Sequence, residues 1–112
     1  AHGAWLAAIW SSWAWYVLDA RPTRFAQFAV NVLNVTPQDD VTQTALKGIS
    51  AMEDFYHSID MPTNITELGI HPTKEQIKTM AEKCDISAKH KLGKVKQLSV
   101  DDMVNIYTNA LN

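Results

Sequence analysis

Cysteine and concentrated positive charge are both scarce in this sequence, and each scarcity narrows the class of protein. Cys84 is the only cysteine among 112 residues, so an intrachain disulfide is impossible and a reducing compartment is expected. The net charge is -2 at pH 7, whereas binding to nucleic acid needs a concentrated basic surface. We therefore expect a cytoplasmic protein that does not bind nucleic acid.

One small cluster of basic residues does occur, and its members alternate with small and apolar residues near a glycine. We interpret the cluster as a solvated loop, with a contact to an anion or phosphate as the alternative. Its members are Lys89, Lys91, Lys94 and Lys96.

Charged side chains are absent from residues 1–18, AHGAWLAAIWSSWAWYVL, which contain all four tryptophans. The stretch is shorter than the roughly 20 apolar residues that span a bilayer, and Ser11 and Ser12 interrupt it. It also has no basic residue before Arg21 of the kind that opens a secretory signal. The pattern predicts a buried helix over residues 4–18, ending near Pro22. Because a helix that is apolar on all sides belongs inside a larger fold, we expect a piece of a longer protein without a membrane span.

Helical spacing and capping signals predict further helices along the rest of the chain. Thr23 is the predicted N-cap of the helix RFAQFAVNVLNV, and Thr36 with Pro37 is predicted to begin the helix around DDVTQTALKGISAMEDFYHSID. Gly48, in the middle of the latter helix, predicts a close approach between two helices.

The second half of the chain carries three more capping signals. Asn64 and Glu67 predict a short helical turn that ends at Gly69. The remaining two signals are capping boxes of the type in which two side chains bond each other's backbone: Thr73 with Gln76, and Ser99 with Asp102. The sequence as a whole predicts an all-α fold, a bundle of about five helices that forms a single domain over residues 1–112.

The four histidines are the main candidates for metal chemistry. His57, His71 and His90 are scattered without a recognised metal-ligand spacing, and we interpret them as structural or surface residues. Glu53 and His57 are four residues apart and could meet on a helix surface. His2 differs from the others because it stands beside a glycine at the entrance to the uncharged helix.

Several segments, in order, resemble the iron-containing alcohol dehydrogenases, in particular their butanol dehydrogenase-like group. HGAWLA followed by WAWYV is similar to the histidine-glycine segment HGxxLAxxxPxWxxYV of that family. The similarity continues through RFAQFAVNV, GISAMEDFY, MPTNITELGI and LGKVKQLSVDDMVNIY, and so covers essentially the whole chain.

The resemblance implies a two-domain enzyme with an N-terminal nucleotide-binding α/β domain and an all-α C-terminal domain that binds a divalent metal. In the family, one Asp and three His hold the metal, and the last of these His precedes a Gly, which matches His2. The resemblance therefore implies Fe or Zn, NAD(H) or NADP(H), a small alcohol or aldehyde substrate, and a homo-oligomer. No catalytic residue besides the metal ligand is assigned, and the isolated chain is expected to be inactive.

Two positions depart from the family pattern, both in or beside the first helix. Trp5 replaces a residue that is usually small, and Ser11 stands where the pattern has Pro. On this interpretation, Trp5, Trp10 and Phe25 are candidates to shield the metal from water, although a plain role in the core is the favoured interpretation for each of them. The alternative function is a free-standing helical interaction module whose tryptophan-rich helix docks on a partner.

Overall fold

Helices make up the framework of the protein. The computed structural model describes residues 2–88 and 96–112, with backbone only for His2 and Ser87. Five α-helices lie within this part of the chain: α1 (His2–Val17), α2 (Pro22–Leu33), α3 (Val41–Ser58), α4 (Lys74–Ser87) and α5 (Val100–Asn109), with a 3-10 turn at Leu18–Ala20. The prediction of an all-α bundle of about five helices is confirmed. Lys89, His90, Lys91 and Lys94 lie outside the described residues.

The tryptophan-rich helix α1 lies between two helical pairs. It contacts α3, which pairs with α2, and it also contacts α5, which pairs with α4. One buried cluster joins Val17 of α1 to Ile77 of α4 and Ile106 of α5. Another joins Ala14 and Leu18 to the apolar side of α3. Helix α1 is apolar on several sides, and these sides pack against both helical pairs.

No helix in residues 2–88 and 96–112 combines the length and the apolar character that crossing a bilayer requires.

Helix α2 packs closely against α3 at Gly48. A Cβ atom placed on Gly48 would lie 2.5 Å from the Cβ of Ala29 and 3.2 Å from its Cα. Only a residue without a side chain fits there, since Ala29 is itself fully buried and its backbone cannot move aside. The predicted close approach of two helices at Gly48 is confirmed.

Three of the predicted caps are present. Both capping boxes form, Thr73 with Gln76 before α4 and Ser99 with Asp102 before α5. Asn64 Oδ1 accepts the Glu67 backbone N–H at 2.7 Å, and the turn that follows ends at Gly69, where φ is +88° and glycine carries no steric penalty.

The predicted starts of the second and third helices are wrong. Pro22 is the first residue of α2, and Arg21, not Thr23, is its N-cap, without a side-chain hydrogen bond. The fixed φ of proline suits the first helical position, where the missing N–H costs nothing.

The third helix begins later than the sequence predicts. Asp40 caps α3 by accepting the Thr42 N–H, and an anionic cap is favourable at the positive end of a helix. Thr36 is instead outside the helix, where its carbonyl accepts a hydrogen bond from the Gln38 side chain at 2.7 Å. The signal at Thr36 and Pro37 therefore predicts a helix start four residues too early.

Hydrogen bonds from side chains fix α1 to α5. Ser12 Oγ donates to the Ile106 carbonyl at 2.5 Å, and the Tyr16 hydroxyl donates to Asp102 Oδ1 at 2.5 Å. Asp102 Oδ2 accepts the Ser99 N–H at 2.9 Å. One carboxylate thus caps α5 and also ties it to α1, so the pKa of Asp102 lies below its ordinary value, first because of the Tyr16 hydroxyl and then the Ser99 amide.

We expect the stability of the folded protein to depend on pH through the Asp102 carboxylate. Because the pKa of Asp102 is lower in the folded than in the unfolded protein, its contribution is present above the unfolded value and is lost as the pH falls through the folded value. The Tyr16→Phe variant should raise the pKa of Asp102 toward the ordinary 3.8 and so weaken the loss of stability in acid. Carboxyl NMR titration measures the pKa, and Tyr56→Phe, whose hydroxyl bonds no carboxylate in the described structure, is the control. An Asp102 titration that Tyr16→Phe leaves unchanged would contradict this assignment.

Candidate functional site

The candidate metal ligand is the first residue of α1. His2 begins the helix, and its side chain lies outside the described part of the structure. The neighbouring Gly3 lies close to the segment that follows α3, since a Cβ on Gly3 would be 3.9 Å from Met61 Cε. With about 3.6 residues per helical turn, positions 2, 6, 9 and 13 follow one line along α1. That line leads from His2 through Leu6, which is 49% exposed, to Trp13.

An apolar cleft opens where this line meets α2. The α1–α2 cleft has a volume of about 250 Å³ and is lined by Trp10, Trp13, Arg24, Phe25 and Phe28. The ring centroids of Trp13 and Phe25 are 5.8 Å apart, and those of Trp10 and Phe28 are 6.5 Å apart. Arg24 is the one charged residue among the lining groups and is exposed. Trp10 stands about 12 Å along the helix axis from position 2.

The structure separates the three aromatic residues that the sequence groups as candidate shields. Trp10 and Phe25 line the same cleft. Trp5 packs on a different side of α1 against Tyr107, with ring centroids 5.9 Å apart. Burial, with a smaller effect from Cys84, raises the pKa of Tyr107 to about 12, as expected for a phenol that lies in the core. Trp5 therefore belongs to the core around α5, where Cys84 packs as well.

The described histidine side chains form no metal cluster. His57 Nε2 lies 3.0 Å from Glu67 Oε1 and 3.1 Å from Thr63 Oγ1, so its partner is Glu67, not Glu53. Both contacts use the same ring nitrogen, so the imidazole does not link Glu67 to Thr63 in the way that a triad histidine links its two neighbours through different nitrogens. The Thr63 amide first, and then His57, lower the pKa of Glu67. His71 is exposed.

The described residues do not build a metal site by themselves. Within residues 2–88 and 96–112, no three His, Cys, Asp or Glu side chains are close enough to share a metal ion. Imidazole nitrogen is nevertheless a suitable donor for Fe or Zn. The chain thus offers one candidate metal ligand, His2, and the other ligands of a bound metal would have to come from elsewhere.

Sequence reasoning overlooked three residues of the α1–α2 cleft: Arg24, Trp13 and Phe28. A signal for two of them was available, because Trp10 with Trp13 and Phe25 with Phe28 are each spaced three residues apart on a helix. What the sequence does not show is that the two pairs face each other.

Comparison with known proteins identifies the class to which this helical fold belongs. The model of the Fe-containing alcohol dehydrogenase family, C-terminal, matches residues 1–111. The chain therefore belongs to the Fe-containing alcohol dehydrogenase family, as the resemblance predicts.

Two curated relatives are butanol dehydrogenases. NADH-dependent butanol dehydrogenase A of Clostridium acetobutylicum is 23% identical over 107 residues, which are 95% of this chain and 27% of that protein. Probable NADH-dependent butanol dehydrogenase 2 of Bacillus subtilis is 26% identical over 115 residues, which are 98% of this chain and 28% of that protein. The chain thus spans little more than a quarter of the length of these relatives.

Proposed function

We propose that this chain is the helical part of a metal-dependent, NAD(P)H-linked alcohol dehydrogenase that also reduces aldehydes. The observation that carries the proposal is the family match over residues 1–111, together with two relatives whose names describe NADH-dependent butanol dehydrogenases. Since the chain spans only 27% and 28% of those relatives, a nucleotide-binding domain and further metal ligands would belong to other parts of the same enzyme.

In this proposal, His2 supplies one imidazole ligand to a divalent Fe or Zn. A metal bound there would act as a Lewis acid that polarises the carbonyl oxygen for hydride transfer from the nicotinamide. The start of α1 suits such a ligand, because α1 is held in place from both sides by the α2–α3 and α4–α5 pairs. A site built on a rigid helix is positioned more accurately than one on a loop.

The α1–α2 cleft is the proposed contribution of this chain to the wall of the substrate pocket. Its aromatic side chains, Trp10, Trp13, Phe25 and Phe28, offer an apolar surface to the carbon chain of a small alcohol or aldehyde. They would also keep water away from the part of the pocket that holds this carbon chain. Arg24 also lines the cleft but is exposed, so we assign it no part in the reaction.

The alternative, a helix that docks on a protein partner, has less support. Trp10 and Trp13 are partly buried against Phe28 and Phe25 of the same chain, and Trp5 is partly buried against Tyr107. Of the four tryptophans only Trp15 is mostly exposed, at 56%. A docking helix would be expected to keep more of its aromatic surface free.

The proposal is tested by comparing a full-length enzyme that contains this sequence with the chain of 112 residues. With butyraldehyde, NADH or NADPH and added Fe or Zn, the full-length enzyme should oxidise the nicotinamide cofactor. The chain alone should show no activity, because a catalytic metal needs about three protein ligands and the described residues contain no such group. Activity of the chain alone, or inactivity of the metal-loaded full-length enzyme toward alcohols and aldehydes, would overturn the proposal.

Three further features remain part of the proposal. We expect the enzyme to be a homo-oligomer, to reside in the cytoplasm, and to contain residues 1–112 as a single all-α unit. Light scattering of the full-length enzyme measures the first of these.

A further inference from the structure

A second pocket lies on another side of α1, away from the α1–α2 cleft. It has a volume of about 340 Å³, and α1, α3, the turn after α3 and the end of α5 all contribute to its walls. The lining is polar: it includes Ser11, Trp15, Glu53, Asn64 and Asn109. This volume is at the lower end of the range for small-molecule sites. We call it the Ser11 pocket.

The Ser11 hydroxyl is the observation that points to an occupant. Ser11 is only 6% exposed, and its Oγ is fully buried without a hydrogen-bond partner in the described structure. A buried polar atom without a partner is unfavourable, and such atoms in proteins are usually paired. Ser11 also lines the pocket, and a change of its χ1 rotamer would be needed to bring the buried hydroxyl to a molecule bound there.

The other polar groups of the pocket have hydrogen-bonding capacity to spare. Asn64 Oδ1 already accepts the Glu67 N–H, which leaves the side-chain NH₂ of Asn64 as a donor. Glu53 is half-buried, and its carboxylate makes no ion pair or hydrogen bond with the described residues. Donors and acceptors thus line the same pocket, which suits a hydroxyl group because it both donates and accepts hydrogen bonds.

Charge and aromatic surface narrow the class of ligand further. None of the described residues that line the pocket is Lys, Arg or His, so the carboxylate of Glu53 disfavours an anion. Trp15 is 56% exposed and offers a flat apolar face with an indole N–H at its edge. An aromatic face combined with hydroxyl, amide and carboxylate groups suits a molecule with apolar C–H faces and several hydroxyls.

We propose that the Ser11 pocket binds a small neutral polyhydroxy compound, a polyol or monosaccharide, between Trp15 and the side chains of Ser11, Glu53 and Asn64. The site requires neither metal nor nicotinamide and lies on a different side of α1 from the α1–α2 cleft. It therefore stands or fails independently of the proposed dehydrogenase function.

The test is an NMR titration of the 112-residue chain with glycerol, sorbitol and D-glucose, with 1-propanol as a probe that has a single hydroxyl. We expect at least one polyhydroxy probe to shift the Trp15 indole and Asn64 side-chain amide signals saturably, with a dissociation constant of roughly 1–30 mM. The propanol control should not saturate. If no polyhydroxy probe produces a saturable shift, or if all four probes behave alike, the proposal is wrong.

Substitutions test whether Ser11 contributes to binding of the polyhydroxy compound. Ser11→Ala should weaken binding about three- to tenfold, the range for one lost hydrogen bond, and Trp15→Ala should weaken it further. Ser58→Ala is the matched control, because Ser58 is exposed and donates only to the Phe55 carbonyl, away from the pocket. Unchanged affinity in a folded Ser11→Ala variant would overturn the role of Ser11 in binding.

Discussion

Replacing His2 by alanine in a full-length enzyme that contains this chain is expected to remove bound metal and dehydrogenase activity together. The expectation follows from the proposal that the imidazole of His2 is one of the metal ligands. Changes to groups that merely orient a ligand cost about 10–100-fold in metal affinity or activity, so the loss of a ligand should cost at least as much. Metal content by mass spectrometry and cofactor oxidation by absorbance are the two measurements.

His71→Ala is the matched control for this experiment. His71 is exposed and belongs to no group of potential metal ligands in the described residues, so its variant should keep metal and activity at the wild-type level. Thermal unfolding of both variants without metal separates a folding defect from the loss of a ligand. Full metal occupancy and wild-type turnover in His2→Ala would remove His2 from the site.

Much of the fold is predictable from the sequence because its signals are local. The capping boxes at Thr73 and Ser99 depend on residues three apart and form as predicted. Gly48 predicts a helix contact because glycine is less favourable than alanine within a helix. A glycine at such a position therefore indicates that a neighbouring helix leaves no room for a side chain. Thr36 with Pro37 shows the limit of such signals, since Asp40 competes for the same role and forms the cap.

The faces of the helices and the candidate site are less predictable, because they depend on which helices meet. Val32 lies in helical register with Phe25 and Phe28 yet is 60% exposed. Trp5 and Trp10 share one helix, but the first meets Tyr107 of α5 and the second meets Phe28 of α2. Such partners are fixed by tertiary packing, and no spacing within α1 or α2 reveals them.

Gly48→Val is expected to cause the largest loss of stability among the substitutions considered. The added Cβ would lie 2.5 Å from Ala29 Cβ and 3.2 Å from Ala29 Cα, so α2 and α3 would have to separate. Overpacking of this kind costs typically about 1–3 kcal/mol and occasionally more. Because valine adds two methyl groups beyond the Cβ, we expect a loss of about 3 kcal/mol, measured by urea unfolding of the chain followed by circular dichroism.

A graded series shows whether the clash with Ala29 is the cause. Gly48→Ala should cost less than Gly48→Val, since alanine adds only the Cβ and gains about 1 kcal/mol of helix propensity over glycine. Adding Ala29→Gly to Gly48→Ala removes the Cβ–Cβ clash and should recover part of the loss. Gly3→Ala is the control, because its Cβ would meet only Met61 Cε, at 3.9 Å, and the variant should be at least as stable as the wild type. If Gly48→Ala instead stabilises the chain as much as Gly3→Ala does, helix propensity outweighs packing and α2 and α3 are not in close contact at this position.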